Sequence, residues 1–370
     1  MSEPTPPPLP ASAPKAPPGK RVTLKDIAQV VGVSAMTVSC ALRNSPKVLP
    51  ATRDKILKVA EQLGYRPDPE ISKLMTHLRQ PSQHSFSHTL AFINAWPDPD
   101  EHLKGYVGKL FHGASYRAAQ LGFDLEPFWL QAKGMTDRRL SSILRNRGIR
   151  GVLLPPWHNS EQTIHFDWSH FSVVASSLSI SSPAVNRVAP NVYRNTLMAC
   201  EHLYKRGYRR LGFVDNLDWH RRSESLARGA FEMFQATRLA KASDGAVMLT
   251  DNNDPALHDW FTSYQPDAII SPSAGHYYQL QQTAPKPFGF IVLDALQDDR
   301  LTGIDQNPGK LGASAIELLV TQLMHNEFGI PESPNSLFIN GHLRMGMSTP
   351  NLLKTQQIRQ PKGDPGDVGH

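Results

Sequence analysis

The residues best placed to do chemistry near the amino terminus are cations and small hydroxyls. Between Lys20 and Arg66 stand Lys20, Arg21, Lys25, Arg43, Lys47, Arg53, Lys55, Lys58 and Arg66, against only Asp26, Asp54 and Glu61. That excess of six equals the net charge of the whole 370-residue chain. A compact segment so lopsided suits phosphates better than bulk solvent. Within it, VSAMTVSCALRNS offers hydroxyls at Ser34, Thr37 and Ser39, soft apolar groups at Ala35, Met36 and Cys40, and a forked donor at Arg43. Hydroxyls can bond phosphates or bases, and small apolar groups can pack on thymine methyls. The guanidinium can pair with guanine or hold a phosphate.

Three helix patterns position these groups. Thr23 can cap the first, with Asp26 three residues on as a short capping box. Ile27, Ala28 and Val31 form its apolar stripe, and Gly32 can close it in the left-handed region. Ser34 caps the second, with Val33 and Val38 at the positions of a hydrophobic staple. Val38 and Leu42 face inward, leaving Met36 and Cys40 on roughly the opposite side. Ile56, Val59, Ala60 and Leu63 line the third, closed by Gly64. Its start is weaker, because Leu49 stands where a polar cap before Pro50 would serve better. Two short helices joined by a tight Gly-containing turn, then a third, make a helix-turn-helix pattern whose second helix enters the DNA major groove.

The stretch VTLKDIAQVVGVSAMTVSCALRNSPKVLPATRDKILKVAEQLGYRP resembles the headpiece of the lac repressor family of bacterial transcription regulators nearly throughout. The matching elements are VTLKDIA, GVS, TVS, the TR opening of the third helix, and LGYRP. The resemblance implies a DNA-contacting set of Thr23, Ser34, Ala35, Met36, Thr37, Ser39, Cys40, Arg43, Lys47, Tyr65 and Leu74. Departures are visible: Cys40 stands where arginine is most common, Arg43 where asparagine is usual, and Leu49 where serine is usual. Arg43 is therefore expected to take over part of the missing arginine's contact. Cys40 reads as a soft groove contact rather than a redox sensor.

After Pro67, DPEISKLMTHL has Asp68 as a cap, Pro69 and Glu70 in the first turn, and Ile71, Leu74, Met75 and Leu78 on one face. It is too short to stand alone as a helix in water. The resemblance makes it a hinge helix ordered by two subunits on an operator, with Leu74 wedged into the minor groove. RQPSQHSFSH follows as a polar connector, and its His84 and His88 do not read as a metal site.

From about His88 the pattern alternates strand and helix. HTLAFINAW, FDLEPFWL, GVLLPP, SVVAS, RLGFVD, AVMLT, DAIIS and FGFIVLD read as strands separated by helical stretches such as residues 105–121. Such units imply parallel sheets covered on both faces, and roughly 260 residues of them suggest two lobes with a ligand cleft between. This half resembles the family's periplasmic-binding-protein-like regulatory domain, through NTLMACEHLYKRGYRRLGFV, ARGAF, PDAII, LTGIDQNPGKLGASAIELLVTQL and LRMGMST. Its departures fall where small molecules would bind. Asn191 replaces an aspartate, Leu226 replaces an arginine that holds effector hydroxyls, and SPSAGH replaces an Asn-Asp pair. The effector-binding set is expected to be Trp96, Trp219, Asp294 and Gln306. Trp96, Trp157 and Trp219 follow strand ends, where an indole can stack on a sugar face or simply close hydrophobic surface.

The expected fold is thus multidomain: an all-α helix-turn-helix headpiece joined to a two-lobed α/β effector domain. The boundaries are 1–20 for a disordered tail, 21–67 for the headpiece, 68–85 for the hinge helix and linker, 86–350 for the effector-binding and dimerisation domain, and 351–370 for a second tail. The expected function is a sequence-specific DNA-binding regulator, by analogy a repressor. Its affinity for a double-stranded operator would be controlled by a small metabolite, a sugar or derivative, and it would act as a homodimer. The alternative is a solute-binding protein without a transcriptional role. The N-terminus has no apolar core of a secretory signal, no apolar run is long enough to span a bilayer, and only Cys40 and Cys200 are present. A bacterial cytoplasmic, nucleoid-associated location is expected. No GxSxG, P-loop or GxGxxG follows a strand, so no catalytic residue, metal or cofactor is expected.

Overall fold

The computed structural model describes residues 22–42, 48–65, 88–157, 163–239, 245–251 and 254–353. Arg43, Lys47, the hinge helix with Leu74, His84 and both expected tails up to residue 21 and from residue 354 lie outside the described residues. The chain forms two compact units, and each is described by itself.

The headpiece contains α1 (Leu24–Val31), α2 (Ala35–Leu42) and α3 (Pro50–Gln62). Their inward stripes meet at Ile27, Val38 and Ile56, all fully buried, with Ala28, Val31, Ala41, Val48 and Ala60 around them. The sequence dictates the ends. The Thr23 amide and hydroxyl both donate to the Asp26 carboxylate, at 2.7 and 2.8 Å. Gly32 ends α1 at φ +77°, its N–H donating to the Ala28 carbonyl. Ser34 Oγ accepts from the Thr37 N–H at 3.1 Å, which is the expected cap of α2. Leu49 precedes α3 with no side-chain bond to the helix and stays 75% exposed.

The second unit is two stacked α/β lobes. In chain order its principal elements are β1 (Thr89–Asn94), α4 (Gly105–Gln120), β2 (Asp124–Trp129), α5 (Asp137–Asn146), β3 (Gly151–Leu154), β4 (Ser172–Ala175) and β5 (Asn186–Pro190). Then come α6 (Val192–Lys205), β6 (Leu211–Asp215), α7 (Leu217–Arg222), α8 (Leu226–Arg238), β7 (Val247–Leu249), α9 (Ala256–Tyr264), β8 (Ala268–Ser271) and α10 (Ala274–Gln281). The last are β9 (Gly289–Val292), β10 (Thr302–Asp305), α11 (Pro308–His325), β11 (Ser336–Ile339) and β12 (His342–Arg344). One sheet runs β2-β1-β3-β4-β5-β11 and is parallel throughout. The other runs β7-β6-β8-β9-β10-β12, with only β12 antiparallel. Central strands such as GVLL, SVVA and AIIS are buried at every residue, as helices on both faces require.

The chain passes between the lobes three times: after β5 at Pro190–Asn191, after β10 at Asp305–Asn307, and after β11 at Asn340–Gly341. The first and third are tied together. Asn191 N–H donates to the Ile339 carbonyl at 2.8 Å, and Gly341 N–H donates to Asn195 Oδ1 at 2.9 Å. Asn191 also accepts from the Arg194 N–H, capping α6, while its Nδ2 donates to Asn340 Oδ1 at 2.9 Å. An aspartate could make the first bond but not the second, because it has no donor. In the first lobe α4 and α11 touch backbone to backbone through Gly113, Gly309 and Gly312. Past residue 350, residues 351–353 remain part of the second lobe, with Leu352 N–H donating to the Arg206 carbonyl.

Candidate functional site

Two places combine exposed chemistry with a fixed scaffold. The first is the outer side of α2. Val38, Ser39 and Ala41 turn into the bundle, so the side facing away carries Met36 at 55% exposure and the half-exposed Thr37 and Cys40, with Ser34 exposed at the helix start; Ala35, and Cys40 in part, also pack on the core. Ser39, expected to offer a hydroxyl outward, is instead 7% exposed, because it adjoins Val38 at the edge of the buried arc. Ser34 Oγ and Thr37 Oγ1 sit 2.9 Å apart, one turn from each other, as a paired hydroxyl unit at the helix start. Thr23 is exposed, and Tyr65 packs partly on the bundle. The face is nearly uncharged, as suits contact with base edges and methyl groups rather than with solvent.

The second is a cleft of about 250 Å³ between the lobes. It lies beyond the carboxyl ends of the strands, where doubly wound sheets bind ligands. All four residues expected to hold an effector line it: Trp96 after β1, Trp219 in α7, Asp294 after β9 and Gln306 after β10. Trp96 is fixed by its indole N–H donating to the Pro156 carbonyl at 2.6 Å. Gln306 Nε2 donates to the Leu293 carbonyl at 2.7 Å, which fixes the side chain at the cleft wall. Asp294 accepts from the Leu296 N–H at 3.1 Å. Burial, reinforced by the charge of Asp305, outweighs that bond and raises its carboxyl pKa. Trp157 is different: it is fully buried in the core of the first lobe, so of the two readings of the strand-end tryptophans it takes the hydrophobic one.

The sequence reading missed Glu101, Tyr106, Ser177, Ser179, Arg222 and Gln297, which also line the cleft. Tyr106 shares a helical stripe with the buried Leu110, Ala114 and Ala118, and because it sits in the first turn of α4 the same stripe delivers it to the strand ends. Desolvation first, then the Asp294 and Asp305 carboxylates, push its phenol pKa up. Arg222 was hidden in the basic run HRRSES. The position of the expected arginine, Leu226, packs against the second lobe's core instead.

A hydrogen-bonded chain holds α7 in place. Fully buried Asp215, ending β6, contacts His220 Nδ1 at 2.8 Å, and His220 Nε2 meets Ser225 Oγ at 2.9 Å. The order of groups is that of a nucleophilic triad. Here it fastens both ends of the segment that presents Trp219, Arg222 and Ser223. Burial raises the Asp215 pKa, and the His220 contact opposes that rise. SPSAGH has a structural job: Ser273 caps α10, and Ser271 Oγ bonds the fully buried His276 at 2.7 Å. Burial lowers that imidazole's pKa to about 4.

The chain thus combines a three-helix headpiece with a two-lobed α/β unit that has an inter-lobe cleft. Residues 23–68 match the family described as "Bacterial regulatory proteins, lacI family". The chain is 26% identical over 196 residues to the "Sucrose operon repressor" of Escherichia coli, covering 50% of this chain and 53% of that one. The chain thus spans about half the length of the sucrose repressors it matches. In fold it is similar to the "transcriptional regulator CelR-cellobiose complex", at TM-score 0.53 and 18% identity over 89% of this chain and 100% of that one. It is also similar to the lac repressor dimer bound to operator and the anti-inducer ONPF, at TM-score 0.50 and 16% identity over 90% and 100%. Among the described residues no helix is long and apolar enough to cross a membrane.

Proposed function

We propose that this protein is a sequence-specific transcription regulator, acting as a repressor, that binds double-stranded operator DNA as a homodimer in the bacterial cytoplasm. A small polyhydroxylated metabolite held between the lobes sets its affinity. The observation that carries the reading is the outer side of α2: a capped, uncharged helix face on a segment holding the chain's entire cationic excess. Cations around the helix supply phosphate affinity, and Ala35, Met36, Thr37 and Cys40 supply base discrimination. Arg43, Lys47 and Leu74 belong to the same proposal on sequence grounds alone. The cleft supports ligand control, because its walls come from both lobes and three crossings join them, the first and third tied by hydrogen bonds. A ligand that binds the closed arrangement better shifts the equilibrium toward it.

The test is selection of bound duplexes from a fragmented bacterial genome, followed by binding titrations in increasing salt. A roughly palindromic site is expected, since a two-fold dimer imposes that symmetry. Affinity should fall steeply as salt rises. Absence of any preference for one duplex over random competitor, with or without sugars, refutes the regulator reading and leaves a solute binder.

A further inference from the structure

The ligand's chemical class can be narrowed from the one cationic side chain among the described residues that line the cleft, Arg222. Resting on the cleft being the effector site, we propose that the effector is an acidic polyhydroxylated metabolite whose carboxylate or phosphate is held by Arg222, with its hydroxyls held by Asp294 and Gln306.

Arg222 ends α7, and its side chain is 23% exposed. Its Nε lies 2.8 Å from Asp218 Oδ2, one turn earlier, yet the pair is poorly aimed and Nε is buried without a hydrogen bond. Among the described residues neither Nη bonds any partner. A guanidinium has five donors in a rigid fork; of those of Arg222, Nε is buried and unpaired, which is costly. Two oxygens of one carboxylate or phosphate match that fork. A neutral polyol would bring single hydroxyls and leave part of it unpaired, and a site built this way discriminates strongly against the ligand that fails to pair.

The remaining polar lining fits the other end of such a molecule. Asp294, Glu101 and the Gln306 amide oxygen accept hydrogen bonds, and Ser177, Ser179 and Ser223 can give or take them. Burial holds Asp294 toward its neutral form, so it opposes a bound anion less than an exposed carboxylate would. Trp96 and Trp219 flank the space with indole surface that suits the apolar face of a sugar ring. A volume of about 250 Å³ is below the usual 300–1,000 Å³ of ligand pockets, which favours one small ring or an open chain of similar size. The Asp215–His220–Ser225 chain makes Arg222 a pre-positioned donor, because it anchors α7 from beneath.

The test is calorimetric titration of the full chain with a hexuronate, a hexose phosphate and the matching neutral hexose, for wild type, Arg222→Gln, Arg222→Lys and the control Arg221→Gln. Either acid should bind roughly ten- to a hundredfold more tightly than the neutral hexose. Arg222→Gln should erase that preference, Arg222→Lys should keep part of it, and Arg221→Gln should keep all of it. The two acidic arms separate carboxylate from phosphate. Equal affinity for the neutral hexose, an acid preference that survives Arg222→Gln, or no binding of either acid overturns the proposal. Operator binding by the same preparations is read separately, so failure of the regulator reading shows there and not in the acid preference.

Discussion

Adding one methyl group at Gly312 tests the packing that sets the position of the cleft's first-lobe wall. An ideal Cβ at Gly312 would lie 2.1 Å from the Leu110 carbonyl oxygen and 2.9 Å from the Ala114 amide nitrogen, against an ordinary contact of 3.4 Å or more. The obstacle is backbone, so no rotamer relieves it. The helices α4 and α11 must part by about 1 Å, and the fully buried Leu110, Ala114, Leu311 and Ala315 lose contact as they do. Overpacking of this kind costs about 1–3 kcal/mol, and a radial gap near 1 Å forfeits up to about half of each lost contact's attraction. Gly312→Ala should therefore destabilise the two-lobed unit by about 3 kcal/mol. Gly229 is the internal standard. It lies on the exposed side of α8 with nothing within 4 Å of its would-be Cβ, so Gly229→Ala should stabilise by about 0.5–1 kcal/mol through helix propensity. Urea unfolding followed by tryptophan fluorescence reads both, with the slope checked for constancy. A Gly312→Ala midpoint within about 0.5 kcal/mol of wild type, or equal losses at both sites, refutes the backbone-contact argument.

Two further outcomes follow from named side chains. Leu49→Asp supplies the missing cap of α3 and should stabilise the headpiece by about 1 kcal/mol, read as slower amide exchange in α3; unchanged exchange would show that the end is capped otherwise. Asp294 has a folded-state pKa raised by burial, so the folded protein holds its proton more tightly than the unfolded chain does. Its contribution to stability is present below the unfolded carboxylate value and is lost as pH rises through the folded one. The stability gained by Asp294→Asn over wild type should accordingly grow as pH rises across that window, and a difference curve that is flat or falls with pH contradicts the assignment.

Much of this architecture was legible because periodicity and punctuation agree. Thr23, Gly32 and Ser34 mark helix ends by mechanisms that act over three or four residues, and SVVAS or FGFIVLD can only be buried strands. The strands β5, β10, β11 and β12 were not read as strands. NRVAP and TGID carry polar residues, Gly or Pro, and their strand character comes from neighbours supplied by distant segments. In the cleft, Trp96 and Trp219 could be found because each follows a strand end, and Asp294 and Gln306 because they match positions that face the cleft in the resembling family. Arg222 and Tyr106 could not, since local pattern assigns one to a solvated basic run and the other to a core stripe. Leu226 and Asn191 were legible as departures, but their reasons required three dimensions: an apolar slot, and a donor owed to Asn340.

The threefold passage of the backbone between the sheets has a consequence for dissection. Strand β11 completes the first sheet after α11, and β12 completes the second only a few residues before the last described residue. No single cut liberates either half with all its strands, so a two-lobed unit truncated anywhere before Arg344 lacks an edge from the second sheet and, before Ile339, from both. Engineers wishing to graft this unit onto another protein must transplant it whole, and its two halves are bound to share one folding transition.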